Sequence, residues 1–245
     1  MRIEDIDRSR SRPEFEQAIY EDLRWLGLDW ETPVRRQSEH FVDYQASLDK
    51  LSARGLLYRC FCTRGEIARS IRNRPDWPRD PDGAALYPRT CRALSDDESA
   101  ARAQREAFCW RIDMQRALLH APSDLSWREF AEGDAWEIVR ADPAQWGDAV
   151  LARKDIPASY HISVVTDDAL QGVTDVMRGR DLYHATSLHR LLQALLDLPE
   201  PNYRHHRLAL DTEGRKLSKS EGAQALRAMR DAGKSPADVR SLVGL

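Results

Sequence analysis

Two stretches near the start of the chain place apolar residues at the spacing of an amphipathic helix. In residues 13–27 the apolar positions share one face, Pro13 suits the first turn, and Gly27 can supply a left-handed stop. In the stretch that follows, we take Ser38 as the N-cap and Gly55 as the residue that ends the helix. The two stretches therefore predict two helices. Their apolar stripes are Phe15, Ala18, Ile19, Leu23 and Leu26 in the first, and Phe41, Tyr44, Leu48 and Leu51 in the second.

Short apolar runs in the later part of the chain alternate with one leucine-rich helical pattern. This alternation is typical of an α/β domain. The predicted elements are strands at 149–151, 162–165 and 172–176, a turn at Asp167 and Asp168, a helix at 188–196, and a strand around 208–210.

Between these regions, from about Cys60 to Trp146, prolines interrupt the pattern and a charged helix is predicted from Asp96 to Arg105. This part of the chain is interpreted as an insertion. The chain has 245 residues, which suits one domain with an insertion or two small domains. It contains no apolar run of membrane-spanning length and starts with a charged stretch, so we expect a cytoplasmic protein that is not inserted in a membrane.

The net charge of -3 gives no overall basic field for a polyanionic partner. Residues 59–92 nevertheless contain eight arginines against four acids, which is a local excess of positive charge. This patch fits nucleic-acid binding, and it equally fits a general preference for arginine, since the chain has only five lysines.

Two of those lysines, Lys216 and Lys219, lie in the segment KLSKS, in a polar loop after a predicted strand. Ammonium groups on such a loop can hold triphosphate oxygens and offset the charge that develops as pyrophosphate leaves. A solvated loop without a function remains the alternative at this point.

Three of the four cysteines, Cys60, Cys62 and Cys91, have a spacing that permits a metal site, but they form no C-x-x-C pair, and from spacing alone simple burial is favoured. Cys109 lies between two aromatic residues and is interpreted as a small buried hydrophobe. Four histidines match no metal spacing, and surface or packing roles are favoured for them. They are His184, His189, His205 and His206.

Three segments in order resemble the glutamyl-tRNA synthetases, which are class I aminoacyl-tRNA synthetases. KLSKS resembles the KMSKS signature, the opening RIEDID resembles a strand end of that family, and residues 147–182 resemble its V-V-D-D, G-V-T and R-G-x-D-L pattern. The matches extend from the first residues to Ser220. Because few residues follow KLSKS, and because of the run DALQGVT, the resemblance narrows to the glutamyl-Q tRNA(Asp) synthetases.

The resemblance implies an ATP-dependent ligase that activates glutamate without tRNA and transfers it to queuosine in the anticodon of tRNA(Asp). It implies that Glu4 binds the α-ammonium of glutamate, that Tyr160 and Arg178 line the amino-acid pocket, and that Lys219 contacts ATP, which brings Mg²⁺. It further implies one structural zinc ion held by Cys60, Cys62, Cys91 and, as the weakest ligand, Tyr87. We expect a monomer.

The expected fold is a Rossmann-type class I catalytic domain of the α/β class, formed by residues 1–56 and 148–220. A zinc-bearing insertion at 57–147 and a helical tail at 221–245 complete the predicted organisation. In the family a HIGH-type turn precedes RIEDID, so we expect either a true start upstream of Met1 or a poorly active remnant. The alternatives are a glutamyl-tRNA synthetase fragment that charges the acceptor end and a noncatalytic zinc and tRNA-binding module.

Overall fold

The computed structural model describes residues 1–130, 135–210 and 226–244. The chain divides into two compact units, one formed by Met1–Glu39 with His206–Leu245 and the other by His40–His205. No helix among the described residues has the length and apolar character needed to cross a membrane.

Among its described residues, the first unit contains two short parallel strands and three α-helices. The strands β1 and β2 pair in parallel, and the acidic face of α1 meets arginines of α8 through Glu21, whose carboxylate lies 3.1 Å from Arg227 Nη2. Helix α1 has Pro13 in its first turn and Gly27, with φ of 78°, after its end, so the predicted helix is confirmed. The elements are β1 (Arg2–Ile3), α1 (Pro13–Trp25), β2 (Arg35–Arg36), α8 (Leu226–Asp231) and α9 (Pro236–Val243).

The second unit is built around four packed helices. Helices α2, α6 and α7 pack on one another, and α5 packs on α7. They are α2 (Phe41–Ala53), α5 (Met114–His120), α6 (Tyr160–Leu170) and α7 (Ala185–Leu196). Two hydrogen bonds join α2 to α6 inside this core: Tyr44 Oη donates to Asp167 at 2.8 Å, and the hydroxyls of Ser47 and Thr166 lie 2.9 Å apart. The predicted helices at α2 and α7 are therefore confirmed.

Ser38 is not the N-cap of α2, so that prediction is wrong. Helix α2 begins after His40, and Ser38 lies in a short 3-10 helix, Gln37–Glu39. The Ser38 hydroxyl donates to Asp5 at 2.7 Å, and the Ser38 backbone N–H donates to the same carboxylate at 2.9 Å. The side chain therefore fixes the segment that follows β1 rather than a helix end.

Two sheets complete the second unit. One is antiparallel, with strand order β3-β4-β7, and the other has the order β6-β5-β9-β8, in which β5 and β9 are parallel. Two capped helices, α3 and α4, lie between β3 and β4 in sequence. The bounds are β3 (Leu57–Cys60), α3 (Arg64–Ile71), α4 (Asp96–Ala103), β4 (Cys109–Ile112), β5 (Ser126–Phe130), β6 (Trp136–Arg140), β7 (Val150–Ala152), β8 (Asp175–Gly179) and β9 (Asn202–His206).

The strand predictions succeed in part. The strand at 149–151 and the charged helix after Asp96 are confirmed as β7 and α4. The strand predicted at 172–176 overlaps β8, which begins at Asp175. The strand predicted around 208–210 is wrong in position, because β9 ends at His206. The strand predicted at 162–165 and the turn at Asp167 and Asp168 are wrong, because all of these residues belong to α6. Helix α6 is buried along most of its length, so its apolar run lacks the polar positions that mark a helical period.

Candidate active site and thiol cluster

The side chain of Arg178 lies at the centre of a polar cluster in the second unit. It extends from β8 and donates to Thr186 Oγ1 at 2.7 Å, to His189 Nδ1 at 3.0 Å and to His205 Nε2 at 3.0 Å. A longer contact of 3.4 Å joins Arg178 Nη1 to the hydroxyl of Tyr160, which is the first residue of α6. The two residues that the sequence assigned to an amino-acid pocket are therefore adjacent, and two helices and a strand hold the guanidinium.

The hydrogen bonds to Arg178 determine the tautomers of the surrounding histidines. A guanidinium only donates, so His189 Nδ1 and His205 Nε2 must both accept, and each ring carries its proton on the other nitrogen. His189 Nε2–H then donates to His161 Nδ1 at 3.1 Å. Burial, together with the Arg178 charge, lowers the pKa of His161 to about 4 and that of His189 well below its usual range. The histidines around Arg178 are consequently neutral at physiological pH.

A buried carboxylate, that of Glu129 on β5, balances the positive charge through His205. His205 Nδ1–H donates to Glu129 Oε2 at 2.9 Å, while the His205 backbone N–H and the Trp127 indole each donate to the same carboxylate at 2.9 Å. Burial lowers the pKa of His205, and the Glu129 hydrogen bond opposes that change. His205 therefore lies between the Glu129 carboxylate and the Arg178 guanidinium, and the guanidinium contacts only uncharged acceptors among these residues.

A second polar site is the thiol cluster, which we define as Cys60, Cys62, Cys91 and Tyr87. The three sulfur atoms lie within 4.8 Å of one another, and all three cysteines are free thiols. Cys62 Sγ lies 3.5 Å from Cys91 Sγ and 3.4 Å from the Tyr87 hydroxyl. Tyr87 Oη also accepts the backbone N–H of Cys91 at 2.9 Å. The end of β3 and a 3-10 helix at Thr90–Ala93 bring these residues together.

The donor set of the thiol cluster fits a tetrahedral metal ion such as zinc. With Zn–S bonds of about 2.3 Å, tetrahedral geometry separates two sulfur ligands by about 3.8 Å, which is close to the Cys62–Cys91 distance of 3.5 Å. A hydrogen bond from Cys109, opposite Cys60 in the sheet, lowers the pKa of Cys60 to about 4, whereas burial raises the pKa of Cys62 to about 11. Burial also raises the pKa of Tyr87, so the phenol is the poorest donor of the set. The cluster could therefore hold a metal ion.

The remaining predicted site residues are placed separately. Glu4 lies in the first unit, where its carboxylate pairs with Arg2 at 3.0 Å. Lys216 and Lys219 lie outside the described residues.

Sequence reasoning missed the polar shell of Arg178. His189 and His205 were expected only in packing or surface roles, and Glu129 and His161 were not singled out. The one available signal was the position of His189 in the leucine-rich helix, where a polar residue on an otherwise apolar face needs a partner.

A mixed α/β core with a half-buried arginine beside a tyrosine, and with a cysteine-bearing sheet, has the fold of a class I tRNA synthetase catalytic domain, as the sequence predicted. The family model described as "tRNA synthetases class I (E and Q), catalytic domain" matches residues 1–245. The chain therefore belongs to this family of ligases.

Curated relatives agree with this assignment. The chain is 41% identical to a glutamyl-Q tRNA(Asp) synthetase of Rhodobacter capsulatus, covering 100% of this chain and 87% of the relative. It is 39% identical to a protein of the same name from Nocardia farcinica, covering 99% of this chain and 72% of the relative. The narrower resemblance drawn from the sequence is thus confirmed.

A solved glutamate tRNA ligase from Elizabethkingia meningosepticum, in complex with its amino acid, has the same fold. Its TM-score is 0.66 at 25% identity. The match covers 90% of this chain and 45% of that structure, so the chain spans less than half the length of the ligase.

Proposed function

We propose that the chain activates glutamate with ATP to form glutamyl-adenylate and then transfers the glutamyl group to queuosine in the anticodon of tRNA(Asp). Relatives named for this reaction match nearly the whole chain and are covered over 87% and 72% of their own length. Residues 1–56 and 148–220 would form the catalytic domain, residues 57–147 the insertion and residues 221–245 the tail.

The observation that carries the proposal is the fixed guanidinium of Arg178 beside the Tyr160 hydroxyl. Its direct partners are neutral, so its positive charge is not cancelled and would attract the side-chain carboxylate of glutamate. Glutamine offers no charge and would leave this half-buried cation without a counter-charge in the pocket. Glu4 would bind the α-ammonium group of the substrate.

The chemistry needs little more than positioning and charge stabilisation. An oxygen of the glutamate α-carboxylate attacks the α-phosphorus of ATP, supplied as its magnesium complex, and the bond to pyrophosphate breaks with its electron pair. Lys216 and Lys219 would bind the phosphates and stabilise the departing charge. A hydroxyl of the acceptor nucleoside then attacks the carbonyl carbon, loses its proton, and displaces AMP.

We assign one structural zinc ion to Cys60, Cys62, Cys91 and Tyr87. The ion would supply a crosslink within the proline-rich insertion, between the end of β3 and the 3-10 helix at Thr90–Ala93. The small hydrophobic core of the insertion surrounds these residues. We further propose a monomer that acts in the cytoplasm, where tRNA and ATP are available.

The decisive test is glutamate-dependent ATP–pyrophosphate exchange without tRNA, with glutamine and aspartate as controls. Exchange with glutamate alone is expected. Periodate-sensitive labelling of queuosine-containing tRNA(Asp), and none of tRNA(Asp) that lacks queuosine, would then identify the acceptor. Binding of tRNA without exchange would instead support a noncatalytic module.

The second candidate function is charging of the ordinary acceptor end of a glutamate tRNA. It is favoured by a Ruegeria pomeroyi protein named glutamate--tRNA ligase 1, which is 36% identical over 246 residues. This chain spans 52% of that protein. Relatives named for the queuosine reaction are more similar to the chain, at 41% and 39% identity, so the anticodon queuosine remains the better-supported acceptor. Labelling of tRNA that lacks queuosine, at the level seen for tRNA that contains it, would favour the second candidate.

A further inference from the structure

A buried hydroxyl without a partner lies next to Tyr160. Ser159 is 8% exposed, and its Oγ makes no hydrogen bond within the described part of the chain. Ser159 directly precedes α6, where a serine usually caps the helix, yet its hydroxyl does not cap. Burial of an unpaired hydroxyl costs about 1–3 kcal/mol, so a ligand that pairs with it would recover that cost.

Ser159 faces a cavity of about 450 Å³ in the second unit, a volume typical of sites for small molecules. The cavity also contacts Tyr160 of the Arg178 cluster and Tyr87 of the thiol cluster. A ligand in it would therefore lie beside the proposed amino-acid pocket and against the insertion.

His161 supplies a second polar group to the cavity wall. Its Nδ1 accepts from His189, so Nε2 carries the proton and is the nitrogen left to donate. Ser159 and His161 thus present one hydroxyl, which donates and accepts, and one neutral N–H donor, while Arg64, Arg111 and Arg153 also line the cavity. The two neutral groups suit the hydroxyls and ring atoms of a nucleoside, and the arginines suit the phosphates attached to it.

The loop opposite contributes two carboxylates, those of Asp80 and Asp82. Asp80 Oδ1 accepts the backbone N–H groups of Asp82 at 3.1 Å and Ala84 at 2.8 Å, which fixes the loop. Burial and the neighbouring Asp80 raise the pKa of Asp82, since two close carboxylates disfavour each other's charge. Hydroxyl donors or a cationic nitrogen on a ligand would relieve that repulsion.

From these observations we propose that the cavity binds the acceptor nucleoside, with Ser159 and His161 contacting its ring and Asp82 pairing with its hydroxyls or its cationic nitrogen. This inference rests on the proposed function and adds the site of its second substrate. Queuosine has the required chemistry, because its additional ring carries two vicinal hydroxyls and is attached through a secondary amine that is cationic. Arg64 at the cavity rim suits the phosphates on either side of the nucleoside.

The test separates acceptor binding from glutamate activation. Ser159→Ala is compared with Ser163→Ala, a matched control one turn into α6, whose hydroxyl donates to the backbone oxygens of Ser159 and Tyr160. Asp82→Asn is the second variant, at an exposed position where folding is not at stake. Each variant is measured in glutamate-dependent exchange without tRNA and in transfer to queuosine-containing tRNA(Asp).

We expect Ser159→Ala and Asp82→Asn to keep exchange within about twofold. Ser159→Ala should raise the KM for tRNA about tenfold, as the loss of one buried hydrogen bond predicts, and Asp82→Asn should raise it less because Asp82 is exposed. The Ser163→Ala control should change neither. Unaltered transfer in both variants would overturn the inference, and so would a raised KM for glutamate in exchange, which would assign the cavity to the amino acid.

Calorimetric titration with free queuosine nucleoside, and guanosine as control, keeps this inference distinct from the proposed function. Affinity for queuosine that depends on Ser159, in a protein without exchange activity, would uphold the cavity and refute the reaction. Equal binding of both nucleosides by wild type and Ser159→Ala would refute the cavity assignment while leaving the reaction intact.

Discussion

Of the two amide replacements of His189, the glutamine variant should impair glutamate activation and the asparagine variant should largely preserve it. His189 is 1% exposed and has two different neighbours: Nδ1 accepts from Arg178 at 3.0 Å, and Nε2–H donates to His161 at 3.1 Å. In His189→Asn the amide oxygen can take the place of Nδ1 and keep the bond to Arg178. In His189→Gln the amide reaches the position of Nε2 and leaves Arg178 without that acceptor.

The expected size of the effect follows from the charge on the donor. A hydrogen bond to a charged group contributes about 1.5–3 kcal/mol, which corresponds to about 10- to 150-fold in an equilibrium constant. Arg178 keeps its bonds to Thr186 and His205, so we expect the low end of that range. His189→Gln should raise the KM for glutamate in exchange about tenfold, whereas His189→Asn should stay within about threefold of wild type.

The assay is glutamate-dependent ATP–pyrophosphate exchange, run with glutamine in parallel, and thermal melting of each variant serves as the control for folding. Preference for glutamate over glutamine should fall only in His189→Gln, because only that variant loosens the guanidinium. Equal losses in both variants, tracking their melting temperatures, would show that His189 has a packing role alone. The reasoning about tautomers would then be wrong.

Three further outcomes are expected. Cys62→Ser should abolish bound zinc by atomic absorption while Cys109→Ala keeps it, and full zinc content in Cys62→Ser would exclude the proposed ligand set. Stability in urea should fall by about 2 kcal/mol from about pH 7 to about pH 5 on account of His161, whose pKa is about 4 when folded and near 6.5 when unfolded. The neutral ring is favoured in the fold, so this stability is lost as the pH falls, and His161→Gln should flatten the slope. Tyr44→Phe should lower the unfolding free energy by about 1.5–3 kcal/mol, since its hydroxyl donates to the buried Asp167 carboxylate at 2.8 Å; a change below about 0.5 kcal/mol would contradict this account.

Helices with one solvated face could be predicted from the sequence, and the fully buried helix could not. In α1 the apolar residues repeat at helical spacing between polar ones, with Pro13 and Gly27 at the ends. Helix α6 carries Ile162, Val164 and Val165 among residues that the fold buries on nearly every side. A buried helix and a buried strand give the same short apolar run, and β-branched residues favour the strand interpretation.

The site shows a similar division. The thiol cluster could be anticipated because its ligands are rare residues at short spacing, and the structure brings Cys60, Cys62, Cys91 and Tyr87 together. The shell of Arg178 could not, because Glu129 and His205 are separated by 76 positions and meet only when β5 pairs with β9. Such a pair has no local pattern, and only tertiary structure shows that each satisfies the other.

The arrangement of charge around Arg178 is compatible with the proposed role of this half-buried cation in binding a carboxylate. A protein carboxylate in direct contact with the guanidinium would cancel the charge that a substrate carboxylate needs. Here Glu129 instead accepts a hydrogen bond from His205 Nδ1–H. The other nitrogen of that ring, Nε2, accepts from Arg178 at 3.0 Å. The neutral imidazole polarises the arginine without neutralising it, so the guanidinium keeps the positive charge that the proposed binding of a carboxylate requires. A His205→Glu exchange would place a competing carboxylate against Arg178. The site therefore requires a neutral acceptor such as the imidazole at this position.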